Sequence, residues 1–115
     1  MKLAEVVQKL DLGVRSATAS LDREVRGGYA SDLLSDVLTH AEEGNLWITL
    51  QIHQNIVAIA SMKNLAGIIL VNGREPEPQT LSKAEAENVV IMVSKMPTFE
   101  LVGRLYRLGV TGMRL

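Results

Sequence analysis

The sequence predicts an α/β domain: a three-layer sandwich with a mostly parallel sheet and helices on both faces. Three observations lead there. Ala66–Val71 and Val89–Val93 are short, unbroken apolar runs, the pattern of strands covered on both faces. Leu46–Leu50 adds a third, β-rich run just after Gly44. Segments of helical period alternate with all three, which calls for β–α–β crossovers.

The elements follow in order. Lys2–Leu10 carries Leu3, Val6, Val7 and Leu10 at i, i+3, i+4 and i+7, one face of a short helix. Leu12–Thr18 alternates Val14, Ser16 and Thr18 with Gly13, Arg15 and Ala17, a thin strand pattern. Val25–Ala30 is a second weak strand, with a bulge or tight bend expected at Gly27-Gly28. Ser31 or Asp32 is placed to cap a helix whose inward face is Leu33, Leu34, Val37, Leu38 and Ala41, stopped by Gly44. After the Leu46–Leu50 strand, Ile56, Val57 and Ala60 mark a helix over 54–62. Asn72-Gly73 closes the Ala66–Val71 strand, Arg74–Pro78 is a polar turn, and Gln79–Glu87 is a helix with Leu81, Ala84 and Ala86 inward. Pro97 opens a last helix carrying Phe99, Val102, Leu105, Tyr106 and Leu108, with Gly109 past its end. No linker or repeat interrupts this alternation, so residues 1–115 are read as one domain, with 110–115 a short C-terminal tail.

Composition narrows the function. At 115 residues and 47% hydrophobic, the chain is long enough for one real core. Twelve basic against thirteen acidic residues leave a formal charge of −1, without the basic excess that a nucleic-acid binder carries. The chain has no cysteine, which excludes disulfides and thiolate chemistry and fits a reducing, cytoplasmic setting. No apolar run reaches membrane-spanning length. The mean hydropathy of +0.15 is high for a domain with 3% aromatics, and the surplus aliphatic surface suits a homodimer interface or a protein partner.

Leu21–Asp32 contains Asp22-Arg23, then Gly27-Gly28, and resembles the DRTGG domain family, named for an Asp-Arg pair followed closely by Thr-Gly-Gly. Arg26 stands at the threonine position. Leu33–Val37, Trp47–Gln51 with His53-Gln54-Asn55, and Ile68–Gly73 are also similar to stand-alone members, so the likeness runs to about Gly109. The resemblance implies an α/β fold similar to the amino-terminal domain of HPr kinase/phosphorylase. It also implies a regulatory or dimer-forming role of the kind such domains have beside CBS domains in regulated pyrophosphatases. Kinase activity does not carry over, because the chain has no Gly-x-x-x-x-Gly-Lys-Ser/Thr loop to cradle a triphosphate.

In open α/β sheets, ligands enter beyond the carboxyl ends of parallel strands. Gln51–Asn55, Asn72–Glu75 and Ser94–Lys95 are the polar segments there, and Asp22–Gly28 is a candidate to join them. The ligand-site set is thus Asp22, Arg23, Arg26, Gly27, Gly28, Gln51, His53 and Asn72, suited to a small anionic ligand, nucleotide-like or phosphorylated. The same residues have structural readings. Asp22 and Arg23 can fix a turn, Gly27-Gly28 a bend with positive φ, and His53 the start of a helix rather than a proton carrier. His40 suits a helix carboxyl end. Glu75, Glu77, Glu85 and Glu87 read as a solvated face, and Trp47 as core. Two histidines without metal-ligand spacing give no metal site, and no cofactor or catalytic residue is expected. The reading is a non-catalytic, self-associating module that senses a small anion. The alternative is a small enzyme acting on a phosphorylated metabolite at the strand-end crevice.

Overall fold

A computed structural model describes residues 1–113. The first helix, α1 (Leu3–Leu10), buries Leu3 and Val6, and Val7 and Leu10 pack at its margin. It ends at Asp11, whose left-handed backbone (φ 53°) returns its N–H to the carbonyls of Val7 and Gln8. The expected Leu12–Thr18 strand contracts to β1 (Gly13–Val14), antiparallel to β5 (Ile91–Val93). The reason lies in one side chain. Fully buried Ser16 donates its hydroxyl to the Val89 carbonyl at 2.8 Å and accepts the Ile91 N–H at 2.9 Å. The hydroxyl thus replaces the backbone ladder, and Ala17 turns away with φ 51°.

The remaining strands are β2 (Gly27–Ala30), β3 (Asn45–Thr49) and β4 (Gly67–Leu70), in the sheet order β1-β5-β4-β3-β2. All neighbours except β1 and β5 are parallel, as the continuous apolar runs predict. Each step from β2 to β5 passes through a helix: α2 (Leu34–His40), α3 (Asn55–Met62) and α4 (Pro78–Glu87). Val37, Ile56, Val57, Ile59, Ala60 and Ala84 from these helices cover Trp47, Ile68, Leu70, Ile91 and Val93. The alternate strand residues Leu46, Ile48, Ile69 and Met92 face α1 and α5 (Thr98–Arg107), which contribute Leu3, Val6, Leu101 and Leu105. Strand side chains alternate between faces, so two separate cores result and three layers follow. Trp47 is fully buried and satisfied through its indole N–H, which donates to the Ser31 carbonyl at 2.9 Å.

Several local expectations are corrected. Gly27 and Gly28 form no bend: they pair in register with Asn45 and Leu46, and neither has positive φ. Gly27 is needed for closeness instead, since a Cβ there would stand 2.9 Å from the Thr111 carbonyl oxygen. That approach lets the Gly28 N–H donate to Thr111 at 3.0 Å. Val110 is buried beside it, so residues 110–112 pass beside the start of β2, whereas 114 and 115 of the expected tail lie outside the described residues. Leu33 occupies the cap position of α2. Asp32 does not cap that helix: its carboxylate accepts the Thr49 hydroxyl at 2.9 Å and the Leu50 N–H at 2.7 Å. Only Val37 and Ala41 of the expected α2 stripe are buried, and Leu33 and Leu38 are exposed. Phe99 and Tyr106 of α5 likewise face outward, because its apolar stripe runs through Leu101 and Leu105.

Candidate functional site

The chain leaves β4 for α4 on one face of the sheet and leaves β5 for α5 on the other. Loops that diverge in this way mark the topological switch point of an open α/β sheet, where ligands are usually bound. Here the two loops are tied together: the Gly73 N–H donates to the Ser94 carbonyl at 2.8 Å, and the Asn72 N–H to the Met96 carbonyl at 3.0 Å. Asn72 (φ 57°) and Gly73 (φ 67°) adopt successive left-handed conformations to make that turn, which Asn and Gly tolerate best. The buried Ser94 hydroxyl accepts the Met96 N–H at 3.1 Å.

Beside these loops lies a crevice of about 400 Å³, floored by Val93 and Met96 and rimmed by Asp11, Arg15, Glu75 and Lys95. Its size is within the roughly 300–1,000 Å³ of small-molecule pockets. Arg15 spans it. Its Nε and Nη2 donate to the two Glu75 carboxylate oxygens at 2.8 and 2.9 Å, a bidentate pair. The guanidinium crosses directly over Gly13, where a Cβ would stand 2.5 Å from Arg15 Nη1. The hydrogen bond from Arg15, helped by its charge, holds the Glu75 carboxyl below the usual carboxylate range. The same bond raises the Arg15 pKa.

The structure divides the ligand set expected from sequence. Asp22, Arg23 and Arg26 precede β2, and β2 runs parallel to β3, so they lie at the amino-terminal edge of the sheet. Gln51, His53 and Asn72 follow β3 and β4 at the carboxyl edge. A five-residue strand such as β3 separates the two edges by about 13 Å, at ~3.3 Å per step. Asp22–Gly28 therefore does not join the strand-end crevice. Arg23 donates through Nη2 to the Asn88 carbonyl at the end of α4, and Asp22 is exposed. Arg26 lays its stem against Gly44, where a Cβ would meet Arg26 Cδ at 2.8 Å. Arg23, Arg26, Glu24, Glu43 and Asn64 line a shallow groove of about 210 Å³.

At the carboxyl edge each expected residue already has a partner. Gln51 donates its side-chain amide to the Asp32 carbonyl at 2.9 Å. His53, 64% exposed, sits 3.1 Å from the Glu77 carboxylate, and Asn72 is held through its backbone as described. Arg15, and its pairing with Glu75, escaped the sequence reading because 60 positions separate the two. No local pattern announces such a pairing. Of the crevice rim, only the segments Asn72–Glu75 and Ser94–Lys95 were foreseen.

A second hollow, about 260 Å³ and almost wholly apolar, lies between β2 and α5, lined by Tyr29, Ile48, Val102, Leu105, Tyr106 and Val110. On the other face of β2, the Tyr29 hydroxyl donates to Asp36 at 2.8 Å, and Asp36 lies 3.0 Å from His40 Nδ1. The Tyr29 and His40 rings stack at 6.5 Å. These bonds, Tyr29's above all, hold the Asp36 carboxyl low. Among the described residues no three His, Asp or Glu side chains are grouped as metal ligands. Nor, among them, is any helix long and apolar enough to cross a membrane.

The family model of the DRTGG domain matches residues 5–108. Among solved structures, the chain is similar to the CBS and DRTGG domains of the regulatory region of Clostridium perfringens pyrophosphatase, complexed with the activator diadenosine tetraphosphate. The TM-score is 0.65 at 12% identity, over 89% of this chain and 44% of that one. The chain thus spans less than half of that region, and the likeness is one of fold. No curated protein matches the chain.

Proposed function

The chain belongs to the DRTGG domain family, and on that footing we propose that it is a non-catalytic regulatory module that senses a small phosphorylated or nucleotide-like anion. The observation that carries this reading is the crevice at the switch point, where Arg15 and Lys95 stand over the diverging loops after β4 and β5. Cations at that position are suited to hold phosphate, and both loops lead straight into helices, so occupancy is felt by α4 and α5. The similar pyrophosphatase region was solved with a dinucleoside polyphosphate, which supports a nucleotide-like ligand class for the present chain. Asp22, Arg23 and the glycines serve the framework in this reading. Arg26, in the groove at the opposite edge, is the competing cation.

A thermal-shift screen against adenine nucleotides, acyl phosphates and phosphosugars tests it. A ligand at 100 times its dissociation constant stabilises the fold by about 2.7 kcal/mol. Loss of the shift in Lys95→Ala but not in Arg26→Ala supports the crevice, and the reverse moves the site to the groove. Silence across the panel refutes anion sensing. The enzyme alternative is weakened by His53, which is exposed, paired with Glu77 and far from Arg23 and Arg26. It would be revived by turnover of a phosphorylated metabolite that disappears in a folded His53→Ala variant.

Self-association is the second component of the reading. It is favoured by the apolar hollow along β2, which among the described residues has no neighbouring strand on its outer side, and by Tyr106, 55% exposed at its rim. Light scattering at micromolar concentration is expected to give more than 12.6 kDa, reverting toward that mass in Tyr106→Glu. A constant 12.6 kDa refutes it.

A further inference from the structure

The Arg15–Glu75 pair makes the crevice a site that is closed by its own carboxylate. With Glu75 in place, the rim carries Arg15 and Lys95 against Asp11 and Glu75, so its formal charge is zero and an anion gains little by entering. Both donors of the Arg15 fork that face Glu75 are filled. Yet the partner is held lightly. Glu75 is 55% exposed and lies in the polar turn before α4, and among the described residues Arg15 is its one ion-pair partner. Its backbone N–H is not among the turn hydrogen bonds, which anchor Arg74 to Val71 and Glu77 to Ile52 on either side. Arg15 is the fixed member. Its backbone N–H donates to Ile91 at 2.8 Å, and its side chain crosses the space that Gly13 leaves open.

We propose that this is an exchange site, in which a terminal phosphate or pyrophosphate replaces the Glu75 carboxylate on the Arg15 fork, with Lys95 as second cation. The proposal rests on the crevice being the ligand site and adds how it selects. A phosphate presents the same pair of acceptor oxygens as a carboxylate and more charge, so it displaces Glu75 where a monoanion does not. Once Glu75 swings out, the rim is left with a net positive charge. The turn from Arg74 to Glu77 then loses its tie to β1, so occupancy is reported at the start of α4.

The test is calorimetric titration of the full chain with inorganic pyrophosphate and, separately, with acetate. The proteins are wild type, Glu75→Ala, Arg15→Ala, Lys95→Ala and the double variant at 15 and 75, each first shown to melt cooperatively. Removing a competitor held by an exposed pair should tighten pyrophosphate binding about three- to fivefold in Glu75→Ala, the gain matching an interaction of that class. The gain should vanish when Arg15 is already alanine, and acetate should not bind wild type. A gain that persists without Arg15 means general charge repulsion and overturns exchange. Unchanged or weaker binding in Glu75→Ala, with Arg15→Ala and Lys95→Ala both weakened, also overturns exchange but leaves the crevice as the anion site. No binding of pyrophosphate by either wild type or Glu75→Ala overturns both.

Discussion

Replacing Ser16 with alanine should be among the most damaging single changes on this small fold, although it removes one oxygen atom. Ser16 is fully buried, and its hydroxyl is the joint between the chain after β1 and strand β5. Alanine leaves two buried backbone groups, the Val89 carbonyl and the Ile91 N–H, without this partner. Each such group costs about 1–3 kcal/mol when unsatisfied. Some relief by water at the sheet edge puts the expected loss at about 2–4 kcal/mol, against a total stability of about 5–15 kcal/mol. Urea denaturation followed by circular dichroism should show a lower midpoint with an unchanged slope. The melting temperature should fall on the order of 10 °C. Amide exchange at Ile91 should accelerate ahead of Ile68 and Ile69 in the sheet interior. Ser82→Ala, on the exposed side of α4, is the control and should be neutral or slightly stabilising. A loss below about 0.5 kcal/mol, within the range of ordinary surface changes, together with unaltered exchange at Ile91, would refute the assignment of the hydroxyl as a ladder substitute.

Three further outcomes follow from the same geometry. Gly27→Ala forces its Cβ against the Thr111 carbonyl oxygen, 2.9 Å away, and should cost about 1–3 kcal/mol; the Gly28 amide, bonded to Thr111, should lose protection in hydrogen exchange. Asp32→Ala removes acceptors for the Thr49 hydroxyl and the Leu50 N–H and should lower stability by about 1–2 kcal/mol, read by the urea midpoint. The pH dependence has a defined sign. The carboxyls of Glu75, Glu24 and Asp36 titrate lower in the folded state than in the unfolded chain. Their contribution is therefore complete above the ordinary carboxylate range and is lost as pH falls through the folded values. Urea midpoints should be level from pH 7 to about 5 and then decline, with Glu75→Gln flattening less than about 1 kcal/mol of that decline because the pair is exposed.

The architecture was legible because burial on both faces leaves a mark that needs no partner to be read. Ala66–Val71 and Val89–Val93 show it, and they became β4 and β5, adjacent strands flanked on both sides within the sheet. Helix α1 was equally plain, its stripe of Leu3 and Val6 landing in the core. The weak segments were read less well for a physical reason. Leu12–Thr18 alternates like a strand, but its middle serine serves a different backbone. Gly27-Gly28 has the composition of a bend yet is straight, since the crowding that requires glycine comes from Thr111, more than 80 positions later. In α2 and α5, Leu33, Leu38, Phe99 and Tyr106 are apolar without being buried, so hydrophobicity alone misjudged which stripe faces the sheet.

The candidate site divides along the same line. Asn72–Glu75 and Ser94–Lys95 were visible as polar segments after apolar strands, because chain order alone puts them at the carboxyl edge of a parallel sheet. Whether Asp22, Arg23 and Arg26 stand beside them depends on the direction and place of β2, which pairs parallel to β3 with Gly27 opposite Asn45, and that sends them to the far edge. Arg15 reaches Glu75 only because β1 docks antiparallel on β5 and carries the guanidinium across Gly13 into the crevice. The sequence by itself determined the class of fold, the central strands and the absence of a triphosphate loop, since these depend on local composition and order. Only the tertiary structure decided which charges meet, because an ion pair between residues 15 and 75 is a property of how two strands lie side by side.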